Sequence, residues 1–246
     1  IVTGSRVGEI YPGGYSQFVK VKSELLVKKP KTISSKDSMI LGTAGFTSLL
    51  CAFAIKARED LFLGEKINEV LVTGATGGVG CISIMVLTKM GYKVTAVTGK
   101  KDKNDFLKKL GAKTIIDRKE LESESRPLDK GIWDGVVDTV GGKILAKAIS
   151  HTKPNGIVAA CGLAADYKLN TTVMPFIIRG VKLWGIDSVM ISKKRREFIW
   201  SQVSKLVDFK LLEKNVKLVN LNELVDIFPS MLKGETSGRI LVDPNK

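Results

Sequence analysis

The chain has 246 residues, of which 44% are hydrophobic and 26% charged, a composition typical of soluble globular proteins. No apolar run approaches the roughly 20 residues of a membrane span, and Cys51, Cys81 and Cys161 are too widely spaced for a disulfide framework. The formal net charge is +14, but the basic residues are scattered and lack interleaved aromatic residues. We therefore expect a cytoplasmic protein without a membrane or nucleic-acid partner, whose charge favours anionic small ligands.

The first 30 residues contain short apolar stretches and turn residues without helical periodicity, and they are predicted as strands and turns. No helix precedes them to cover a sheet, and the chain opens on Ile1 rather than Met. We therefore expect that part of the fold precedes this sequence. The length has room for one complete core and pieces of a second.

From residue 69 onward, strand and helix patterns alternate. The predicted strands are residues 70–73, 93–98, 114–116, 133–138, 156–161 and 182–186, and the predicted helices between them are residues 82–90, 103–110 and 143–150. This alternation predicts a mostly parallel sheet covered on both faces, the doubly wound α/β fold. After residue 188 the pattern changes to two amphipathic helices, residues 194–209 and 221–233, and a last strand, residues 239–242.

A glycine-rich turn joins the first strand of this alternation to the first helix. It has the pattern A-x-G-x-x-G from Ala75 to Gly80, one small residue away from the dinucleotide fingerprint. The strand-turn-helix context predicts that Gly77, Gly78, Val79 and Gly80 hold a pyrophosphate at the positive end of the helix dipole. Gly77 would let the phosphate approach the backbone, and Gly80 would let helix and strand pack closely. The alternative is a plain tight turn that needs a positive φ at Gly77 or Gly78.

The end of the second predicted strand indicates which dinucleotide binds. NAD-selective sites place Asp or Glu there to accept hydrogen bonds from the ribose, and this sequence has neither. Thr98, Gly99, Lys100 and Lys101 occupy the position instead, so a hydroxyl and ammonium groups would meet a 2′-phosphate. The cofactor is therefore predicted to be NADPH rather than NADH. The alternative is that Lys100 and Lys101 only begin the solvated face of the next helix.

Seven segments carry a resemblance to a known family. They are residues 13–18 (GGYSQF), 41–47 (LGTAGFT), 75–80, 138–142 (DTVGG), 161–164 (CGLA), 174–180 (MPFIIRG) and 185–189 (GIDSV). Over nearly its whole length the chain resembles the medium-chain dehydrogenase/reductases, and within them the acryloyl-CoA reductase group often labelled quinone oxidoreductases. Thr98-Gly99-Lys100 looks like the Ser-Gly-Arg with which this group grips the 2′-phosphate, and Gly238-Arg239 looks like the family's closing segment.

The resemblance implies a Rossmann NADPH-binding domain at residues 49–187 and remnants of a GroES-like β substrate domain. Residues 1–48 would be the carboxyl-terminal part of that substrate domain, and residues 188–246 would return to it. The nicotinamide is expected near Leu163, Ile178 and Ser188, in the cleft between the two domains. A homodimer is expected to pair the edge strand at residues 182–186.

The resemblance also bears on metal binding. Zinc-bearing relatives place a metal-ligating Cys in the segment equivalent to residues 41–47, where this chain has Thr43 or Ala44. The single histidine, His151, follows a predicted surface helix and indicates a partly exposed structural role rather than ligation. No metal site is therefore expected.

Such zinc-independent enzymes deliver hydride to the β-carbon of an activated alkene and protonate the α-carbon. The expected function is reduction of a short enoyl-CoA such as acryloyl-CoA, with quinone reduction as the alternative. A non-enzymatic nucleic-acid-binding protein on a reductase fold is the alternative from another class. No catalytic residue is assigned, because Tyr15 is predicted in a sheet and the best candidates for the proton donor are expected to precede Ile1; water is the alternative donor. With an incomplete substrate domain, the chain is expected to bind cofactor but to turn over weakly or not at all.

Overall fold

A six-stranded parallel sheet organises the larger part of the computed structural model, which describes residues 1–245. The strands are β1 Glu69–Val72, β2 Lys93–Thr98, β3 Ala112–Asp117, β4 Trp133–Asp138, β5 Thr152–Ala160 and β6 Lys182–Gly185. Their spatial order is β3-β2-β1-β4-β5-β6, and every neighbouring pair is parallel. The order reverses between β1 and β4, so the predicted doubly wound fold is confirmed and its ligand crevice opens at the carboxyl ends of these strands.

Nine helices accompany the strands in the described part of the chain. They are α1 Ser35–Leu61, α2 Gly78–Lys89, α3 Asn104–Lys109, α4 Lys119–Glu122, α5 Gly142–Ser150, α6 Met174–Arg179, α7 Lys193–Leu206, α8 Phe209–Glu213 and α9 Leu224–Leu232. Short 3₁₀ turns cover Ser23–Leu25 and Lys101–Lys103. The last two strands, β7 Val216–Val219 and β8 Arg239–Val242, form a separate parallel pair.

The sheet is buried on both faces near its centre. Val70, Leu71 and Val72 of β1 and Val136 and Val137 of β4 are fully buried. Strands covered by helices on both faces have apolar residues in succession rather than in alternation. This pattern allowed β1 and β4 to be predicted from the sequence. This burial fixes the strand ends, and with them the loops that follow.

The chain divides into two compact units. Residues 47–186 contain the six-stranded sheet, and residues 1–46 together with residues 187–246 contain the β7–β8 pair. The assignment of residues 1–48 and 188–246 to a GroES-like substrate domain stays a prediction, as do the boundaries at residues 48 and 187.

The structure contains a long helix, α1, that the sequence analysis did not predict. Its residues are apolar on nearly all sides, so no helical stripe marks it, and Gly42 interrupts it with φ 51° and ψ −152°. By length and composition alone this helix is long and apolar enough to cross a membrane, and 72% of its most apolar stretch is buried inside the protein. The statement that no run approaches membrane length was therefore wrong, and the absence of a membrane partner stays a prediction.

The strands predicted for the first 30 residues were also wrong. Over residues 1–34 the structure has a single isolated bridge between Val7 and Tyr11 and two backbone hydrogen bonds between Ile1 and Val27, at 2.7 and 3.0 Å. Gly4, Ser5, Arg6 and Gly8 all have positive φ. Left-handed residues turn the chain and cannot continue an extended ladder, so this segment is coiled.

The carboxyl-terminal helices differ from their predicted bounds. The helix predicted for residues 194–209 is two helices, α7 and α8, because Val207 is extended and the Asp208 side chain caps a new helix by accepting a 3.1 Å hydrogen bond from the Leu211 N–H. The short strand β7 was not predicted. The last strand, β8, begins and ends at the predicted residues.

Candidate cofactor-binding site

The glycine-rich turn leaves the sheet between β1 and α2, at the point where the strand order reverses. Backbone N–H groups of Thr73 and Ala75 donate to the carbonyls of Val137 and Val97, each at 3.0 Å, so the turn is held against the ends of both neighbouring strands. Gly77 has φ −75° and ψ 171°, and its N–H donates to the Gly74 carbonyl at 2.9 Å. The positive φ lies at Gly74, with φ 59°, and not at Gly77 or Gly78 as the plain-turn alternative expected.

Three glycines of this turn are required for different reasons. A Cβ on Gly74 would overlap the hydroxyl of Thr139, and a Cβ on Gly80 would overlap the Gly74 carbonyl and lie 2.8 Å from the Ala75 Cα. These two positions are closed by the protein itself. A Cβ on Gly77 would meet only the Gly74 carbonyl oxygen, at 3.3 Å, so it would project into space that no other protein atom fills. The open position at Gly77 is what a closely approaching ligand needs.

The amino end of α2 is suited to an anion. Its N-cap, Gly77, makes no side-chain cap, and no acidic residue lies in the first turn. The first N–H groups of a helix have no intrahelical acceptor, and the helix dipole places partial positive charge there. Gly78, Val79 and Gly80 therefore present donors of the kind that bind phosphate. The buried Ser48 hydroxyl fixes this turn by donating to the Val79 carbonyl at 2.8 Å.

A buried carboxylate links the turn to the loop that follows β4. Asp138 is fully buried and accepts hydrogen bonds from the Thr73 hydroxyl at 2.7 Å, the Gly141 N–H at 2.8 Å and the Val140 N–H at 3.3 Å. Burial raises the pKa of the Asp138 carboxyl, and the hydrogen bonds from Thr73 and the two N–H groups oppose that rise. In return, the Thr139 hydroxyl donates to the Thr73 carbonyl at 3.1 Å. The two loops thus hold each other in place.

The segment that follows β2 is exposed and basic, unlike the glycine-rich turn. Thr98 is buried, and its hydroxyl accepts the Lys100 N–H at 3.0 Å, which turns the chain outward at the exposed Gly99. A Cβ on Gly99 would lie 2.9 Å from Nε of Arg118, so the guanidinium group packs directly over this glycine. Arg118 also pairs with Glu122 at 3.3 Å, and both side chains are largely exposed. A second cation therefore lies where the sequence analysis placed the 2′-phosphate.

Sequence reasoning missed Arg118 because it follows β3, far from the turn in sequence. The parallel register sets Thr98 of β2 opposite Asp117 of β3, so the residues that follow these two strands lie next to each other at the carboxyl edge of the sheet. The signal that could have found it is therefore the first cation after the third predicted strand.

The three residues expected at the nicotinamide are not brought together in the sheet unit. Leu163 lies in the loop after β5, at the carboxyl edge, and 66% of it is exposed. A Cβ on the preceding Gly162 would overlap the Thr139 carbonyl, so this loop packs against the loop after β4. Ser188 belongs to the other compact unit, in a half-buried turn.

Ile178 is placed at the opposite edge of the sheet from the glycine-rich turn. Its neighbour Arg179 donates to the carbonyls of Ser150 and Thr152, at 2.8 and 3.2 Å, at the start of β5. The paired part of β6 then runs from Lys182 to Gly185 before it reaches the carboxyl edge, a further rise of about 10 Å. Ile178 therefore lies before the amino end of β6, and its expected position near the nicotinamide stays a prediction.

No group of three or more His, Cys, Asp or Glu side chains within residues 1–245 is placed to hold a metal ion. His151 lies edge-on to Trp133, with ring centroids 5.6 Å apart, and its Nδ1 is 3.0 Å from the Lys130 carbonyl oxygen. This is the partly exposed structural position that the sequence predicted for it.

Comparison with known proteins gives consistent matches. A family model described as zinc-binding dehydrogenase matches residues 78–206. Acrylyl-CoA reductase AcuI of Ruegeria pomeroyi is 42% identical over 246 residues, which is 100% of this chain and 74% of that protein. YhfP of Bacillus subtilis, named as a quinone oxidoreductase, is 39% identical over 244 residues, or 98% of this chain and 73% of that protein.

A solved structure extends the likeness to three dimensions. The YhdH oxidoreductase from Salmonella enterica, crystallised in complex with NADP, superposes with a TM-score of 0.92 and 41% identity. The match covers 98% of this chain and 74% of that one.

Proposed function

Because this chain belongs to the medium-chain dehydrogenase/reductase family, in its zinc-independent group with the acrylyl-CoA reductases, we propose that it is an NADPH-dependent reductase of activated alkenes. The observation that carries the proposal is the uncapped amino end of α2 next to Gly77, whose missing side chain leaves space that no other protein atom fills. A dinucleotide phosphate fits this cradle by size and charge.

The two ends of the cofactor would be held by different groups. Backbone N–H groups of Gly78, Val79 and Gly80 would bind the diphosphate, and Lys100 with Arg118 would bind the 2′-phosphate. Bound NADPH supplies the hydride. The protein's own part is to bind and orient the dinucleotide, and the mutual hydrogen bonds of Asp138, Thr73 and Thr139 keep the cradle fixed for that purpose.

A short enoyl-CoA such as acryloyl-CoA is the proposed substrate. The support is 42% identity with an acrylyl-CoA reductase along the full length of the chain. The thioester activates the double bond, and the phosphates of coenzyme A suit a protein of formal charge +14. The second candidate is a quinone, favoured by the 39% identity with YhfP.

Binding and turnover test the proposal separately. The chain is titrated with NADPH and with NADH, following nicotinamide fluorescence, and the NADPH titration is repeated with Thr98→Ala and Lys100→Ala. NADPH oxidation is then measured with acryloyl-CoA and with a soluble quinone. Tight NADPH binding that weakens in both variants, with at most weak NADPH oxidation by acryloyl-CoA, is the expected result. A folded chain that binds neither nucleotide would show that the reductase assignment is wrong.

Three finer properties are part of the proposal. We infer a homodimer through β6, because β6 ends the sheet of the described chain with Leu183 and Trp184 about 40% exposed. Sedimentation of a single monomeric species at micromolar concentration would exclude it. We also propose a cytoplasmic location, which the three free cysteines, two of them buried, support. Absence of nucleic-acid binding is tested by retention on an immobilised oligonucleotide over a salt gradient.

A further inference from the structure

Gly99, the exposed residue after β2, is a glycine that the backbone does not require. Its φ lies outside the left-handed region that favours glycine, so a residue with a side chain can adopt this conformation. The three atoms nearest to a Cβ at this position are Nε, Cδ and Cγ of Arg118, at 2.9, 3.0 and 3.4 Å. Glycine also loses more conformational entropy on folding than alanine does. What the glycine allows is therefore the close packing of the Arg118 side chain.

The backbone of Arg118 is fixed beside the end of β2. Its N–H donates to the Thr98 carbonyl at 3.1 Å, which continues the parallel pairing of β2 and β3. The preceding carboxylate, Asp117, accepts the Lys119 N–H at 3.0 Å and so holds the backbone on either side of Arg118. The Cα of Arg118 is thus held in place, and the position of its guanidinium depends on the room that the side chain finds over Gly99.

The guanidinium of Arg118 has donors that the protein does not use. Its Nε lies 3.3 Å from Oε1 of Glu122, whereas Nη1 and Nη2 have no hydrogen-bond partner among residues 1–245. These terminal nitrogens form the planar fork with which arginine binds a phosphate through two parallel hydrogen bonds. The Arg118 side chain is 61% exposed, so the fork is accessible to a ligand. The contact with Gly99 involves Nε and the side-chain carbons, and it leaves the phosphate-binding atoms available.

We propose that Gly99 is a positioning residue that sets the preference for NADPH over NADH: because it has no side chain, Arg118 lies across the end of β2 and offers its terminal nitrogens to the 2′-phosphate. The inference rests on the proposed function, which places the 2′-phosphate at this edge of the sheet. It assigns part of the selectivity to a packing contact between two residues of the sheet unit. Any larger residue at position 99 would displace the guanidinium while leaving every charge in place.

The test is a double-mutant cycle of Gly99→Ala, Arg118→Ala and the double variant. Dissociation constants are measured for adenosine 2′,5′-bisphosphate and adenosine 5′-monophosphate, which differ by the 2′-phosphate alone, so their ratio isolates that group. Gly14→Ala is the control, because Gly14 is also exposed, its φ also lies outside the left-handed region, and a Cβ there meets no atom within 4 Å. Denaturant titration measures the free energy of unfolding of each variant.

We expect Gly99→Ala to lower the preference for the bisphosphate about fivefold, with unchanged affinity for the monophosphate. In the Arg118→Ala background the same change should have an effect below about twofold, because the side chain that it displaces is already gone. The free energy of unfolding of Gly99→Ala should stay within about 1 kcal/mol of the wild type, since the methyl group meets only a flexible, exposed side chain. Gly14→Ala should match the wild type with both ligands.

Three results would overturn the inference alone: an undiminished preference in Gly99→Ala, equal weakening of both ligands, or the same loss with and without Arg118. The last result would mean that position 99 acts on the ligand directly. A wild-type chain that binds neither ligand, or binds both equally, would overturn the proposed NADPH site, and this inference with it.

Discussion

Two neighbouring places at the carboxyl edge of the sheet, the glycine-rich turn after β1 and the cationic edge after β2, are built in opposite ways. The turn is buried or half-buried, and its residues are held by backbone hydrogen bonds, by Asp138 and by the close packing around Gly74 and Gly80, which leaves no room for a side chain. At the cationic edge, Gly99 and Arg118 are largely exposed, and only Thr98 is buried. The proposed diphosphate site would therefore depend on the backbone, whereas a preference for NADPH over NADH would depend on side chains that can change without cost to the fold.

The largest effect on stability is expected from adding a methyl group inside the glycine-rich turn. Gly80→Ala places a methyl group against the backbone of Gly74 and Ala75, which cannot move away because both neighbouring strands hold it. We expect the free energy of unfolding to fall by about 3 kcal/mol, measured by denaturant titration.

The matched control is Gly14→Ala, because a Cβ at Gly14 meets no atom within 4 Å and Gly14 is exposed. Its free energy of unfolding should stay within about 1 kcal/mol of the wild type. Equal stability of Gly80→Ala and the wild type would show that the backbone of the turn can move to accept a methyl group. The turn would then not be more rigid than the cationic edge.

A change at Gly77 should separate binding from folding inside the same turn. Gly77→Ala adds a methyl group whose one neighbour is the Gly74 carbonyl oxygen, and φ −75° is allowed for alanine. Because the Gly74 carbonyl oxygen, 3.3 Å away, is held in place, we expect the free energy of unfolding to fall slightly, by at most about 1 kcal/mol. The methyl group would fill the space left for a phosphate, so NADPH and NADH affinity should both fall at least about tenfold. Undiminished nucleotide binding would place the diphosphate elsewhere.

Changes at the cationic edge should alter selectivity without altering stability. Lys100→Ala and Arg118→Ala each remove one charged donor from the proposed 2′-phosphate site, so the preference for NADPH over NADH should fall about tenfold in each. Lys89→Ala is the charge-matched control, because Lys89 lies at the far end of α2, about 17 Å along the helix from the turn. Parallel weakening of NADPH and NADH would contradict a 2′-phosphate site at this edge.

The smallest effect concerns the titration of Asp138. Its pKa is raised in the folded protein, chiefly by burial, so its contribution to stability is fully present below its ordinary value of 3.8. That contribution is lost as the pH rises through the raised pKa. The free energy of unfolding of the wild type, relative to Asp138→Asn, should therefore decline across that window and then level off. A difference that grows with pH would mean that the hydrogen bonds from Thr73, Val140 and Gly141 outweigh the burial.

Much of the sheet unit was predictable. The predicted bounds of β2 and β4 are those of the structure, and so are those of β8 in the other compact unit, because each strand is a short stretch ended by a turn residue or a charge. The helix α1 was not found, since a helix buried on most sides carries no polar stripe. The strands expected before residue 30 were wrong because four residues there have positive φ. Two of them are Ser5 and Arg6, residue types that do not indicate a positive φ.

For the candidate site as well, the sequence predicted local features and missed contacts between segments that are distant along the chain. The sequence placed the turn, the missing carboxylate after β2 and the lysine in its place, all of which depend on neighbours along the chain. It could not place Arg118 over Gly99, because that contact depends on the parallel register of β2 and β3. It assigned Ile178 to the nicotinamide, which stays a prediction, but it could not show that α6 leads into the start of β6. Which edge of a sheet a segment reaches depends on strand order and register.

By itself the sequence determined the alternation of elements, the position of the glycine-rich turn and the sign of the charge at the end of β2, because each is a local pattern of polarity, conformational freedom or charge. Only the tertiary structure decided which cation covers Gly99, why a Cβ is excluded at Gly80 and open at Gly77, and that Arg196 is buried against the turn carrying Ser188. These facts rest on contacts between residues up to 193 positions apart, as between Arg196 and Thr3, and no local pattern encodes them.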